Sequence, residues 1–131
     1  MTSISKLTQN HRITLGQHGE DAAATYLETR GLRVIGRNWR CGRAGEVDLI
    51  CQDGDTVVFV EVKTRHAGPL VDANLSISPQ KLGRLKFMSQ QWLIAHAGWQ
   101  EYRIDLVAIT VKSSPDHART AHLEWHRGID R

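Results

Sequence analysis

Cysteine is almost absent from this 131-residue chain. Cys41 and Cys51 are the only two, with no CxxC spacing between them. A disulfide framework is thereby excluded, and both read as reduced, incidental thiols. Long hydrophobic runs are missing too. No stretch approaches the about 20 consecutive apolar residues that a membrane helix needs. The opening MTSISKLTQNHRITL lacks the apolar block of a secretory signal, so the cytoplasm is the expected address. Surplus charge is small: 17 Lys and Arg against 14 Asp and Glu leave +3. That permits a polyanionic partner without demanding one. Repeats, low-complexity tracts and linkers are also lacking. With 40% hydrophobic and 24% charged residues, the composition is that of one soluble domain.

What is present is a clear order of elements. Residues 1–13 are polar and irregular and read as a flexible arm, leaving 14–131 as the domain. Thr14-Leu15-Gly16-Gln17 has the capping-box pattern. Leu15, Ala22, Ala23, Tyr26 and Leu27 follow at helical spacing, with Gly31 as the stop. Leu32 to Arg40 reads as a strand. Two further runs, Glu46–Cys51 and Thr56–Lys63, flank Asp53-Gly54, a strong hairpin signal. Residues 66–77 form a connection. Ser78-Pro79 then opens a second helix with apolar positions Leu82, Leu85, Met88, Trp92 and Leu93. Tyr102 to Val111 is another strand, and His122 to Trp125 a short edge. The order predicts an α/β domain, a mixed sheet flanked by helices.

The hairpin makes a geometric statement. With Asp53-Gly54 as its two-residue turn, Glu46 faces Glu61, Asp48 faces Phe59 and Ile50 faces Val57. Directly opposed residues share a face, so Glu46, Asp48, Glu61 and Lys63 lie together, with Asp48 and Glu61 as diagonal neighbours. Val47, Leu49, Cys51, Val58, Val60 and Val62 form the opposite, wholly apolar face. Acids crowded on a partly covered sheet are destabilising unless a counter-ion joins them. A divalent cation, Mg²⁺ or Mn²⁺, suits such hard oxygen ligands. Lys63, two residues beyond Glu61, could orient water and stabilise charge on a phosphoryl oxygen. The plainer alternative is a strand end carrying an internal Glu61–Lys63 ion pair.

Asp48 followed by Glu61-Val62-Lys63 resembles the D…(D/E)xK signature of restriction-endonuclease-like nucleases and Holliday-junction resolvases. More closely, the chain is similar to the uncharacterised bacterial YraN-type family. The stretches that carry this are Gly16–Ala23, Gly45–Ile50, Phe59–Arg65, Lys81 and Arg103–Val107. Gly68-Pro-Leu-Val71 departs from that family's aromatic-glycine pair, and Ile104 stands where it has phenylalanine. The resemblance implies a restriction-endonuclease-like fold, with Asp48, Glu61 and Lys63 as the catalytic set. It also implies that Glu20, on the first helix, reaches the metal; an exposed acid near a favourable helix terminus is the plainer alternative. Relatives of the resolvase type often dimerise, which leaves a homodimer open.

Glu46 is either a further ligand or an acid holding Lys63. Lys81, Arg84, Arg40, Arg43 and Arg65 surround the cluster as candidate phosphate contacts, whereas Lys86 reads as solvated. Asp105 pairs with Arg103 as support more readily than it serves catalysis. His122 and His126 flank Glu124 at a spacing that could hold metal, but such terminal pairs are usually solvated. Trp92 reads as core and Trp39 as the better base-stacking candidate. The expected function is metal-dependent hydrolysis of nucleic-acid phosphodiesters, DNA first, with branched or structured DNA among the candidate substrates. The alternatives are an inactive nucleic-acid-binding module and a protein adaptor.

Overall fold

Two β-hairpin-like ladders joined by a helical crossover shape the molecule. The computed structural model describes residues 2–9, 17–66, 77–113 and 119–131, with side chains described for 18–66, 77–112 and 121–131. In chain order the elements are β1 (Thr2–Gln9), α1 (Gln17–Thr29), β2 (Arg33–Arg40), a 3₁₀ turn (Gly42–Ala44), β3 (Glu46–Asp53), β4 (Thr56–His66), α2 (Pro79–Ala95), β5 (Glu101–Ser113) and β6 (Arg119–His126). The sheet runs β1-β6-β5-β4-β3-β2. β4 and β5 pair in parallel, as the intervening α2 requires, while the other neighbours pair antiparallel. Strands β2 to β6 form a five-stranded mixed sheet with two helices, a single α/β domain, and β1 extends its edge. Residues 2–9, expected as an irregular arm, are therefore a strand whose backbone pairs with β6 from Thr2↔His126 to Gln9↔Arg119. The expected Thr14 cap and the Gly68–Val71 connector lie outside the described residues.

The β3–β4 register differs from expectation by two residues. Gly54 and Asp55, not Asp53 and Gly54, are the turn, and Asp53 stays in the ladder opposite Thr56. Two forces fix this. Gly54 takes φ 60°, the left-handed conformation that glycine adopts without steric cost. Asp53 is held by cations, 2.9 Å from Arg103 and 3.4 Å from Arg127. Ile50 consequently faces Phe59, and Gln52 faces Val57. An even shift preserves which face each side chain takes, so the segregation of acids survives it.

Each sheet face buries its own core. On one, Leu49, Cys51, Val58, Val60, Val107, Ile109 and Trp125 pack with Ala23, Ala24, Tyr26 and Leu27 of α1. On the other, Ile50, Val57, Phe59 and Ile104 pack with Leu85, Met88 and Trp92 of α2. Phe59 centres the second core, edge-on to Trp92 at 5.6 Å and to Tyr102 at 6.1 Å. Truncating such a side chain to alanine costs about 3–5 kcal/mol. Val47 corrects the expectation of strict alternation. It packs with the α2 core, together with Trp39, and not beside Leu49. Burial also holds the Cys51 thiol inert, pushing it up to about 12. No described helix is long and apolar enough to cross a membrane.

Candidate active site

The acids sit where the sheet forks. The β3–β4 pairing runs from Asp53↔Thr56 to Leu49↔Val60. By that alternation the next hydrogen-bonded pair would be Val47↔Val62. Instead, Val62 N–H donates to the side chain of Asp48, at 2.8 Å from Oδ2. Beyond this point β3 keeps only β2, through Trp39↔Val47 and Arg40↔Glu46. β4 keeps only β5, from Glu61↔Leu106 to His66↔Val111. One prong carries Asp48 and Glu46, the other Glu61, Lys63 and Arg65.

Charge accumulates in the cleft of the fork. Glu61 is only 6% exposed, and its carboxyl acts on that of Asp48 across the cleft. Asp48 is therefore raised from 3.8 to about 7, by burial first, then by the carboxyl of Glu61. The Val62 N–H and the Lys81 charge oppose the shift. Two carboxylates this close cannot both ionise cheaply, so the proton is retained. Glu20 enters from α1 on the side of Asp48. Its own pKa is raised by burial and then by the charges of Asp48 and Glu46, against the lowering effect of Asn38. Glu46, whose charge acts on Glu20, has its Oε1 3.4 Å from Arg40 Nη1.

Lys81 reaches the pair from α2. Ser78 caps that helix, its Oγ accepting the Lys81 N–H at 3.1 Å, and Pro79 opens the first turn. The cap fixes the backbone of Lys81, and its ammonium then lies 3.0 Å from Glu61 Oε2. Lys63 is exposed, two residues beyond Glu61 on the same strand. Arg65 is partly covered, and its Nη1 is buried without a hydrogen-bond partner among the described residues. Arg43 and Arg84 are exposed. Among the described residues neither contacts the acids, so they stand as flanking cations. Trp39, considered for base stacking, packs part-buried against the α2 core.

Two residues that place Glu20 were not singled out from sequence. Gly19 precedes it on α1, and a Cβ there would lie 2.0 Å from Thr64 Oγ1 on β4. Only glycine lets the helix approach the prong this closely. Asn38 donates its amide to Glu20 Oε1 at 2.8 Å. It has φ 49°, the only positive value at a non-glycine among the described residues. For Gly19 the available signal was a glycine just before an acid, inside a helical pattern. For Asn38 there was none beyond the general tolerance of asparagine for that conformation.

Other candidates resolve into structure. Asp105 is fully buried and accepts from Arg103 Nε at 3.0 Å, Trp125 Nε1 at 3.0 Å and Gly128 N–H at 2.8 Å. It ties β5 to the chain after β6. His122, Glu124 and His126 alternate along β6, half-buried, and His126 Nε2 is 3.8 Å from Glu124 Oε1. Among the described residues no three His, Cys, Asp or Glu side chains form a metal-holding group, these included. At the fork the acids meet pairwise, Glu20 with Asp48 and Asp48 with Glu61. That donor set fits Mg²⁺ or Mn²⁺, which bind through one or two carboxylates and take their remaining ligands from water and substrate phosphates. A carboxyl that keeps its proton near neutral pH lacks a counter-charge that such a cation supplies.

The chain was compared with known proteins. A family model described as "Uncharacterised protein family UPF0102" matches residues 19–109, the segment that holds α2, most of α1 and the acids of the fork. A UPF0102 protein of Streptomyces griseus is 44% identical over 116 residues, covering 84% of this chain and 97% of the relative. One from Streptomyces coelicolor is 40% identical over 116 residues, covering 84% and 89%. One from Nitratidesulfovibrio vulgaris is 46% identical over 104 residues, covering 79% and 77%.

Proposed function

The chain belongs to the UPF0102 family, and from that premise we propose that it is a metal-dependent nuclease with a restriction-endonuclease-like core, hydrolysing phosphodiesters in DNA. One observation carries the reading: in the cleft between diverging strands the Asp48 carboxylate takes the Val62 N–H at 2.8 Å, while nearly buried Glu61 lies 3.0 Å from Lys81. Acids are seldom pressed together at a fork unless a cation belongs between them. Asp48 and Glu61 would hold Mg²⁺ or Mn²⁺, with Glu20 and Glu46 beside them. When bound, the ion would neutralise the acids and polarise a phosphoryl oxygen.

The chain's own residues supply the rest. Lys63 follows Glu61 on the outer part of the β4 prong, where an ammonium stabilises charge developing on a phosphoryl oxygen and orients water. Lys81 and Arg65, with Arg40, Arg43 and Arg84 outside them, contact phosphates. Such contacts read no base, so discrimination by strand geometry is expected, with branched or structured DNA favoured over sequence. A second reading is a nucleic-acid-binding module without turnover. It is favoured by the Lys81–Glu61 ion pair, which already neutralises a buried ligand. The two are separated by a cleavage panel of single-stranded, duplex, flap and four-way DNA with Mg²⁺ or Mn²⁺, beside an Asp48→Asn control. Cleavage lost in the control supports the nuclease. Binding without cleavage under either metal supports the module.

A further inference from the structure

We propose that Asn38 is a positioning residue of the forked site, acting through Glu20 in two ways: its left-handed backbone turns β2 and β3 over at the fork, and its side-chain amide holds the Glu20 carboxylate toward Asp48. The purpose of the placed glutamate rests on the nuclease reading above.

After a register shift between Val34 and Gly36, and just before Asn38, Arg37 pairs with Leu49, and Leu49 packs into the α1 core. After it, Trp39 pairs with Val47, and both pack with the α2 core. Two residues along a regular strand keep one face, so Leu49 and Val47 should agree. They do not, and the reversal falls between the pairs that flank Asn38 and Asp48. Asn38 has φ 49°, and asparagine enters this region more readily than most side-chain-bearing residues. Strained backbone of this kind persists only where its surroundings hold it, and it gathers at functional sites. The turn-over lets Asp48 leave the ladder and present its carboxylate to Val62 N–H at 2.8 Å.

The side chain completes the argument. Asn38 Nδ2 donates to Glu20 Oε1 at 2.8 Å, and Glu20 in turn feels the charge of Asp48. One residue thus bears on two acids, lying on β2 between the pairs that flank Asp48 and bonded to Glu20. A glycine at this position would satisfy the backbone, and alanine would satisfy neither need. Asparagine serves both.

The test separates backbone from amide. Asn38→Gly accepts φ 49° without steric cost and deletes only the hydrogen bond. Manganese titration by calorimetry is expected to show about tenfold weaker binding in Asn38→Gly, at a melting temperature close to wild type, as for lost outer-shell partners. Asn38→Ala should lose both affinity and stability. If Asn38 acts through Glu20, Asn38→Gly combined with Glu20→Gln binds no more weakly than Glu20→Gln alone. Unchanged affinity in Asn38→Gly, or strictly additive losses in the double variant, would overturn the proposal. Absence of manganese binding by the wild type would instead sink the metal reading. The placement is then decided by the side-chain amide resonances of Asn38 in the metal-free protein. They should shift in Glu20→Ala, and unmoved resonances would overturn it.

Discussion

Val62 donates its backbone N–H to Asp48 Oδ2 at 2.8 Å, so a side chain occupies the place where the next rung of the β3–β4 ladder would form. This contact makes the fork and charges it at once. It directs one carboxylate at its neighbour Glu61 while leaving both on strands that remain paired elsewhere. The same carboxylate therefore serves as a structural acceptor and as a site acid, and its protonation state is linked to stability.

Asp48→Asn should reveal that linkage. The amide oxygen of asparagine can still accept the Val62 N–H, while the ionisable group is removed. Folding raises Asp48 to about 7, so the folded protein holds a proton that the unfolded chain has released. Stability from this group is present in full below about pH 4 and is lost as pH rises through about 7. The variant should match wild type near pH 4. At pH 8 it should melt higher, on the order of 3–5 °C after allowance for solvent screening. Melting curves at both pH values check this, and an equal difference at each would remove Asp48 as the titrating group.

Lys81→Gln should act on the same pair from the other side. The ammonium lies 3.0 Å from a glutamate that is nearly buried, and its charge lowers the Asp48 pKa. Its removal should raise the Asp48 pKa further and destabilise the fold by on the order of 1 kcal/mol, since Lys81 is partly solvated. Carboxyl carbon NMR titration of Asp48 reads the first effect. An unmoved or lowered midpoint would contradict the geometry.

Gly19→Ala should damage the site through packing. The added methyl would lie 2.0 Å from Thr64 Oγ1, so α1 must retreat from β4 and take Glu20 with it. A loss of about 1–3 kcal/mol is expected, as for other overpacked contacts. Thr64→Ala removes the clashing oxygen, so the double variant should recover much of that loss, a coupling visible in denaturant melts. Purely additive losses would show that the contact is not the cause.

How much of this was legible beforehand follows from the range of each interaction. The helices, the strands from Leu32 onward and the shared face of Asp48 and Glu61 rest on local periodicity, which the sequence displays directly. The cap at Ser78 was readable because serine and proline announce a helix start. The turn residues were misplaced by one because Asp53 is retained in the ladder by Arg103 on β5 and Arg127 just after β6, cations distant in sequence. Val47 was assigned to the wrong core because alternation cannot foresee a left-handed asparagine on the neighbouring strand. Strand β1 escaped notice because its register depends on pairing with β6, more than a hundred residues away. The contact of Lys81 with Glu61 was likewise invisible, though its helix position was not.

Lys63 and Lys81 should separate chemistry from binding, provided the wild type cleaves. Lys81 is held by a capped helix against Glu61, a fixed charge suited to gripping phosphate before reaction. Lys63 is exposed on the β4 prong, and on the nuclease reading its ammonium would act on charge that appears only as the bond breaks. Lys63→Ala should therefore leave DNA affinity nearly intact and lower cleavage by about two to three orders of magnitude, the usual cost of one lost electrostatic stabiliser. Lys81→Ala should weaken binding and reduce its salt dependence by about one charge. Fluorescence anisotropy across a salt series and single-turnover cleavage measure the two effects separately. If Lys63→Ala weakens binding and cleavage by the same factor, its role is ground-state contact and the assignment to the transition state is wrong. If Lys81→Ala leaves the salt slope unchanged, its charge is committed to Glu61 and does not reach the phosphates.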